Sequence, residues 1–234
     1  DSLADSYKVA QLISQYCNRE LLLEIARSHR QGRRLYVGTV NLDASRLVVW
    51  NMGAIALRDT PEALELFRQV LLASVSIPIL FPPELFTVEA RGGSYDELHA
   101  DGGVVHQVFV DDRLFALREA ARQAGWESIR NQRIFVIQNL PTEPAYDPVA
   151  PVVVDIAYKS IMALFSNQGL GDLYRIYAQS EHNGLEFNLI AIPPEFKPQK
   201  RDLFNHQDML NLFKMGYDMG QSGVPWQTKP PGYP

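Results

Sequence analysis

The stretch that decides the fold lies at residues 86–103 and reads FTVEARGGSYDELHADGG. Residues 86–90 and 95–100 flank Gly92-Gly93, and this arrangement predicts a β-hairpin. The second strand runs directly into Asp101-Gly102-Gly103. Two glycines let the chain turn sharply and leave the carboxylate at a strand end, free to face a pocket. The same triplet is also typical of a turn in which the aspartate bonds to its own backbone.

Outward from this hairpin, apolar periodicity predicts strands that alternate with helices, which indicates an α/β sheet. Residues 134–138 form a continuous apolar run, as expected for a strand inside a parallel sheet. Residues 152–165 are apolar on most helical faces, so this helix is predicted to be buried, and Gly169-Leu170-Gly171 is predicted to be a turn between helices. The remaining predictions are two helices within residues 5–28 closed by Gly32, strands at 35–40, 47–51 and 185–192, and helices starting at Thr60-Pro61 and covering 112–124, 173–180 and 207–219.

Composition limits the classes of function. The chain has 234 residues of which 46% are apolar, enough to bury the core of one large domain or two small ones. A net charge of -5 argues against a nucleic-acid binder. The cationic cluster Arg30–Arg34 is broken by Gln31 and Gly32, and we interpret it as a solvated helix end. Cys17 is the only cysteine and is expected in the core, and no apolar run reaches membrane-spanning length.

A second block precedes the hairpin and carries a resemblance. Residues 73–83 read ASVSIPILFPP, which resembles the Ala-Ser-x-x-Ile-Pro-x-x-Phe-Pro-Pro block of patatin-like phospholipases. In that family the block comes shortly before a strand that ends in Asp-Gly-Gly or Asp-Gly-Ala. Residues 34–43, RLYVGTVNLD, also look like the strand that follows the family's nucleophile helix. Residues 171–176, GDLYRI, and 185–188, LEFN, look like the later part of a bacterial subgroup, so the resemblance covers essentially the whole chain.

The resemblance implies a fold and a chemistry. The fold would be α/β, a patatin-like three-layer α/β/α sandwich, with residues 1–234 as a single catalytic domain incomplete at its N-terminal side. The chemistry would be a Ser–Asp dyad without histidine, in which Asp101 matches the family's aspartate and acts as the base, while Gly102 and Gly103 match the glycines behind it. The substrate would be an acyl lipid or phospholipid, no metal or organic cofactor would be needed, and contact with a membrane surface stays open.

The sequence departs from the family pattern at the nucleophile. Gly-x-Ser-x-Gly occurs nowhere in the chain: Gly92-Gly93-Ser94-Tyr95 lacks the last glycine, and Gly220-Gln221-Ser222-Gly223 has it one place early. A glycine-rich oxyanion loop is missing as well. We therefore expect the nucleophile segment to lie upstream of Asp1. The alternative is a non-catalytic remnant or binding module that keeps the back half of the fold.

Other candidate residues have plainer interpretations. Ser74 and Ser76 precede the proline-rich loop, and we expect their hydroxyls to bond to nearby backbone. His99 and Asp101 would share one face of a strand, but His106 would have to reach across the glycine turn, so a metal site is not expected. Core packing explains most of the aromatic side chains around these segments, of which one or two could line an acyl pocket: Phe81, Phe86, Phe109, Phe115, Trp126 and Phe135.

A missing nucleophile strand has a structural consequence. The strand at residues 35–40 and the strand leading to Asp101 should each lack a neighbour on at least one side. Apolar side chains that absent helices would cover should then face solvent, with Val37 and Val40 the first candidates.

Overall fold

The structure is a computed structural model, and its contacts divide the chain into two units, Asp1–Gln107 and Val108–Pro234. It describes residues 6–90, 92–110, 123–124, 132–141, 146, 148–198 and 205–233. Each unit combines helices with β-strands, which confirms the mixed α/β class. The single domain over residues 1–234 stays a prediction.

The first unit has helices and strands close to those that the sequence predicts. The helices α1 to α4 are Tyr7–Tyr16, Arg19–Arg30, Met52–Ala56 and Pro61–Ser74, and the strands β1 to β4 are Tyr36–Asn41, Arg46–Asn51, Glu84–Ala90 and Gly93–Asp101. Only α3 was not predicted, because five residues are too few to display a helical period. The predicted strand bounds agree with the observed ones to within two residues.

Local signals explain where these helices begin and end. The Thr60 hydroxyl accepts a hydrogen bond from the Ala63 N–H at 3.2 Å, with Pro61 in the first helical position, as predicted. Gly32 has a φ of +96°, and it lets the chain turn back so that its N–H reaches His29 O. The following N–H, of Arg33, bonds to Ser28 O at 3.0 Å, which completes the capping motif at the end of α2.

The four strands form one sheet in the order β2-β1-β4-β3, and every neighbouring pair is antiparallel. The prediction of a missing neighbour is therefore wrong for β4, which lies between β1 and β3. It is also wrong for the second half of β1, since Val40 pairs with Leu47 on one side and with Ala100 on the other. Among the described residues, the first half of β1, residues 36–38, pairs with β2 alone because β4 ends at Asp101.

The core of the first unit lies where α3 and α4 pack against this sheet and α2 packs on α3. Phe67 and Val70 of α4 and Phe86 of β3 belong to it, together with Cys17, Leu22, Ala26, Met52, Ala56 and Ala73. Cys17 is buried, as predicted. The predicted solvent exposure of Val37 and Val40 is wrong: Val40 is 1% exposed, and Val37 is half-buried against the core.

The second unit contains a β-α-β arrangement. Strand β5, Arg133–Pro141, and strand β6, Glu186–Ile192, pair in parallel, and helix α5, Val153–Asn183, connects them along the chain. Parallel pairing of the run at 134–138 is thereby confirmed. The core of the unit joins Val136, Leu173, Ile176, Tyr177, Phe187 and Leu189. Beyond helix α6, His206–Ser222, the chain returns to β6, where the Leu189 and Gln227 backbones exchange hydrogen bonds of 2.8 and 2.9 Å.

Two predictions for the second unit are wrong. Residues 169–171 are not a turn, because α5 is one helix of 31 residues that passes through them. A glycine inside a helix costs only about 1 kcal/mol relative to alanine, which tertiary packing readily offsets. The predicted burial of residues 152–165 also fails, since the buried face of α5 lies in its second half and includes Leu173, Ile176 and Ser180, whereas Val153 and Leu164 are exposed.

The remaining helices complete the comparison. The predicted helix at residues 112–124 falls outside the described residues apart from 123–124. The helix predicted at 207–219 is confirmed by α6, although its apolar side chains Met209, Leu210, Phe213 and Tyr217 are exposed. In the described part of the chain, no helix has both the length and the apolar character that a membrane span requires.

The core of the first unit yields a stability prediction. Phe67 is 2% exposed, so Phe67→Ala should lower the free energy of unfolding by about 3–5 kcal/mol, through lost burial and the cavity left behind. Leu85→Ala is the control, because Leu85 is 57% exposed on β3 and its truncation should cost about 0.5 kcal/mol or less. Urea unfolding followed by circular dichroism measures both. Equal losses would show that α4 does not pack as described.

Candidate functional site

Asp101 is the last residue of β4 and lies opposite Thr39 of β1. Its backbone N–H donates to Ser76 O at 3.0 Å, which fixes the strand end against the start of the proline-rich loop. Its side-chain Oδ1 accepts a hydrogen bond from the Gly103 N–H at 2.8 Å. The turn-forming role that the triplet allows is thus confirmed. Within the described residues, the second carboxylate oxygen accepts no hydrogen bond from the protein.

Burial sets the acidity of this carboxyl group. Removal from water raises the pKa of Asp101 above its ordinary value, and the hydrogen bond from Gly103 N–H opposes part of that rise. The direction of the shift makes the carboxylate a stronger base than an exposed aspartate. Asp101 is partly buried. A carboxylate with one oxygen held and the other without a donor among the described residues can accept a proton from a hydroxyl group placed beside it.

Gly102 and Gly103 fit this position for different steric reasons. A Cβ on Gly102 would lie 2.7 Å from Gly38 O and 3.2 Å from Thr39 N, which are backbone atoms that cannot move aside. A Cβ on Gly103 would lie 2.9 Å from the Gln107 amide nitrogen and 3.1 Å from Asp101 Oδ1. The first glycine therefore permits close approach of two chain segments, and the second keeps the carboxylate in place.

The proline-rich loop contributes a strained turn next to Asp101 in the first unit. Leu80 N–H bonds to Ile77 O at 3.1 Å, with Pro78 and Ile79 in the middle of the turn. Ile79 has a φ of +75°, a region that β-branched residues adopt at appreciable cost. Such strain persists only where surrounding packing enforces it, and the same loop carries Ser76, which binds the Asp101 N–H.

The hydroxyl groups of the candidate serines donate hydrogen bonds to backbone carbonyl groups. Ser74 Oγ donates to Leu71 O and Ser76 Oγ donates to Leu72 O, both at 2.8 Å, as predicted. Ser222, at the end of α6, donates to Asp218 O at 2.8 Å. Each of these hydroxyls thus has a backbone partner, and none is positioned as a nucleophile by a neighbouring base.

A buried polar network lies on the same face of β4 and was not predicted. His99 is 1% exposed; its Nδ1 lies 2.9 Å from Thr39 Oγ1 and its Nε2 lies 3.2 Å from Glu97 Oε2. The Trp50 Nε1–H donates to the same threonine oxygen at 2.8 Å. Every donor is used if the Thr39 hydroxyl donates to Nδ1 and Nε2–H donates to Glu97.

The network links a carboxylate, an imidazole and a hydroxyl group, the same groups that occur in catalytic triads. Because the network is buried, we assign it a structural role and not a catalytic one. Thr39 is 0% exposed, so no substrate reaches its oxygen. The alternation of Glu97, His99 and Asp101 on one strand face was readable from the sequence. The partnership with Thr39 was not, because it depends on which strand pairs with β4.

The described residues bring together no group of three His, Cys, Asp or Glu side chains that could hold a metal ion. His99 uses both ring nitrogens inside the network, and His106 has a partner of its own.

Among the aromatic candidates, Phe86 packs in the core at 4.7 Å from the His99 ring, and Phe135 is exposed on β5 beside Trp226. Phe115 and Trp126 lie outside the described residues. The acyl pocket stays a prediction.

Comparison with known proteins adds no relative: neither a scan against protein-family models nor a search of curated proteins gives a match.

The steric role of Gly102 can be tested directly. Gly102→Ala should lower the free energy of unfolding by about 2 kcal/mol, because the added methyl group would overlap the Gly38 backbone. Gly93→Ala, at the start of the same strand, is the control, since no atom lies within 4 Å of its new Cβ. Chemical denaturation measures the two variants. If Gly102→Ala is as stable as Gly93→Ala, β1 and the turn do not approach as described.

The shifted pKa of Asp101 predicts a pH-dependent stability. The pKa of Asp101 in the folded state lies above its value in the unfolded state. Its contribution to the free energy of unfolding is therefore fully present below the unfolded pKa, and it is lost as pH rises through the folded pKa. Asp101→Asn keeps an acceptor for Gly103 N–H but removes the partly buried charge. The variant should therefore melt at a higher temperature than the wild type at pH 7, and this gain should shrink as pH falls to about 4.

The control for this experiment is Asp96→Asn, on the same strand, where the side chain is exposed and accepts from Thr87 Oγ1 at 2.8 Å. It should show no such gain. A lower melting temperature for Asp101→Asn at pH 7 would mean that the hydrogen bond from Gly103 outweighs the cost of burying the charge.

Proposed function

We propose that the chain is the aspartate-bearing part of a patatin-like hydrolase of acyl lipids, which works through a Ser–Asp dyad with Asp101 as the base. The observation that carries the proposal is the state of this carboxylate. It sits at a strand end, one oxygen is held by Gly103 N–H, the other accepts no hydrogen bond from the described residues, and burial raises its pKa. The family in this proposal rests on the resemblance of the two sequence blocks at residues 73–83 and 101–103.

The chemistry follows from these parts. A serine hydroxyl attacks the acyl carbonyl of the lipid while Asp101 takes its proton, so that an acyl-enzyme forms. The proton then goes to the departing alcohol. Water then attacks the acyl-enzyme while the same carboxylate takes its proton, and that proton passes to the serine oxygen as the bond to the acyl group breaks and the fatty acid leaves. The serine must come from elsewhere in the polypeptide, because Gly-x-Ser-x-Gly does not occur in these 234 residues.

The fold proposed with this function is the patatin-like three-layer α/β/α sandwich. Two features support it: α3 and α4 contact the four-stranded sheet, and the second unit contains a parallel β-α-β arrangement. The substrates proposed are acyl lipids, including phospholipids. The competing proposal, a non-catalytic binding module, gains support from the turn-forming hydrogen bond of Asp101.

One experiment separates the two proposals. A protein extended upstream to include a Gly-x-Ser-x-Gly segment should hydrolyse a short-chain nitrophenyl ester. Asp101→Asn in that protein should lower kcat by about 10²- to 10⁴-fold while the protein stays folded, because an amide cannot act as a base. The matched control is Asp96→Asn, which should retain full activity.

The 234-residue chain alone should show no turnover, since the nucleophile and the oxyanion donors supply most of the acceleration in such enzymes. Two results would contradict the hydrolase. One is an extended protein whose specific activity survives Asp101→Asn. The other is turnover by the short chain that survives loss of Ser74, Ser76 and Ser222 but not Asp101→Ala.

A further inference from the structure

A surface pocket lies in the first unit at the C-terminal end of α2. A pocket of about 210 Å³ opens there, with Ser28, His29, Arg33 and Arg34 as the polar side chains on its cationic side. Leu21, Ile25 and Leu35 form its apolar wall, and Gly53 of α3 lies at its base. This volume is below the roughly 300–1,000 Å³ of pockets that enclose a drug-sized ligand, so the pocket suits a small group rather than a whole lipid.

The two arginines of the pocket differ in their hydrogen bonds. Arg34 Nη1 donates to His29 O at 3.0 Å and to Arg33 O at 2.8 Å, so it satisfies carbonyl groups at the helix end. Arg33 makes no hydrogen bond or ion pair with its side chain in the described part of the chain. Gly32 N–H, Arg33 N–H and Arg34 bind the carbonyl groups of Ser28 and His29, and the Arg34 cation offsets part of the negative end of the helix dipole.

The His29 side chain, which lines the pocket, is positioned by close packing against Gly53. Its ring lies so close to Gly53 that a Cβ at that position would overlap it. Its Nδ1 is buried and has no hydrogen-bond partner in the structure. Since this nitrogen lies against Gly53, it is closed to a ligand. The wall therefore offers the Arg33 guanidinium, which has no partner among the described residues, and the Ser28 hydroxyl.

We propose that this pocket binds a phosphate group, with Arg33 and Ser28 donating to its oxygens and the apolar wall contacting the first carbons attached to it. Donors from two separate side chains can reach oxygens that lie in different directions, as those of a tetrahedral oxyanion do, and a guanidinium can bond two phosphate oxygens at once. Glu24, also on the pocket, is the one carboxylate that opposes an anion there. The proposal does not depend on the hydrolase function, since Asp101 takes no part in it.

The opposite signs of the pocket charges give a sharp test. Titrate the 234-residue chain at low ionic strength, where screening is weakest, with inorganic phosphate and with glycerol 3-phosphate, by calorimetry. Arg33→Gln should weaken binding about tenfold, because one charge-assisted interaction is lost. Glu24→Gln should strengthen it about two- to threefold. Arg27→Gln is the matched control, an exposed arginine of α2 outside the pocket, and should change little.

A parallel arm distinguishes the sources of the phosphate. Co-sedimentation with phosphatidylcholine vesicles containing phosphatidylglycerol tests a lipid headgroup. Arg33-dependent binding of the soluble phosphates assigns the site to small phosphate esters, and Arg33-dependent binding of vesicles alone assigns it to a headgroup. The proposal is overturned if neither probe binds, if Arg27→Gln weakens binding as much as Arg33→Gln, or if Glu24→Gln weakens it.

Discussion

The close approach of the Gly102 backbone to Gly38 and Thr39 is the contact on which the first unit depends. Strand β4 stops pairing with β1 at Asp101, and the turn that follows lies directly against the remaining half of β1. No side chain larger than hydrogen fits at that crossing. The same crossing fixes the direction in which the Asp101 carboxylate leaves the sheet, so the position of the candidate base follows from a steric limit on its neighbour.

Around that crossing, polar and apolar groups share one face of the sheet. Phe86 and Trp50 contact each other with ring centroids 5.1 Å apart, and the His99 ring packs against both of them while both of its nitrogens are bonded. A buried imidazole without partners would destabilise the sheet, since the loss of hydrogen bonds to water would not be replaced. Thr39 and Glu97 remove this cost. Asp101, two residues further on, is only partly compensated, which is why burial and the Gly103 hydrogen bond act on its pKa in opposite directions.

The sequence allowed much of the first unit to be predicted, because its signals are local. The Thr60-Pro61 helix start, the Gly92-Gly93 hairpin and the strand end at Asp101 each depend on a few neighbouring residues. The order of the strands is not local, and an upstream strand was wrongly expected beside β1 where β4 in fact pairs. Likewise, the apolar character of residues 152–165 predicted burial, whereas α5 packs through Leu173 and Ile176 in its second half. The site was predicted as far as Asp101, Gly102 and Gly103, but the Thr39 contact to His99 required the fold.

Cys17 has a use that follows from its burial in the core of the first unit. Removal from water raises the pKa of its thiol, with Arg68 opposing part of the rise, so the reactive thiolate is scarce in the folded state. It is also the only cysteine of the chain. A thiol reagent therefore labels the protein at one place, and only when the packing of α2 and α4 around that place opens. The rate of labelling therefore reports how often the first unit opens, and it does not report openings that are confined to the second unit.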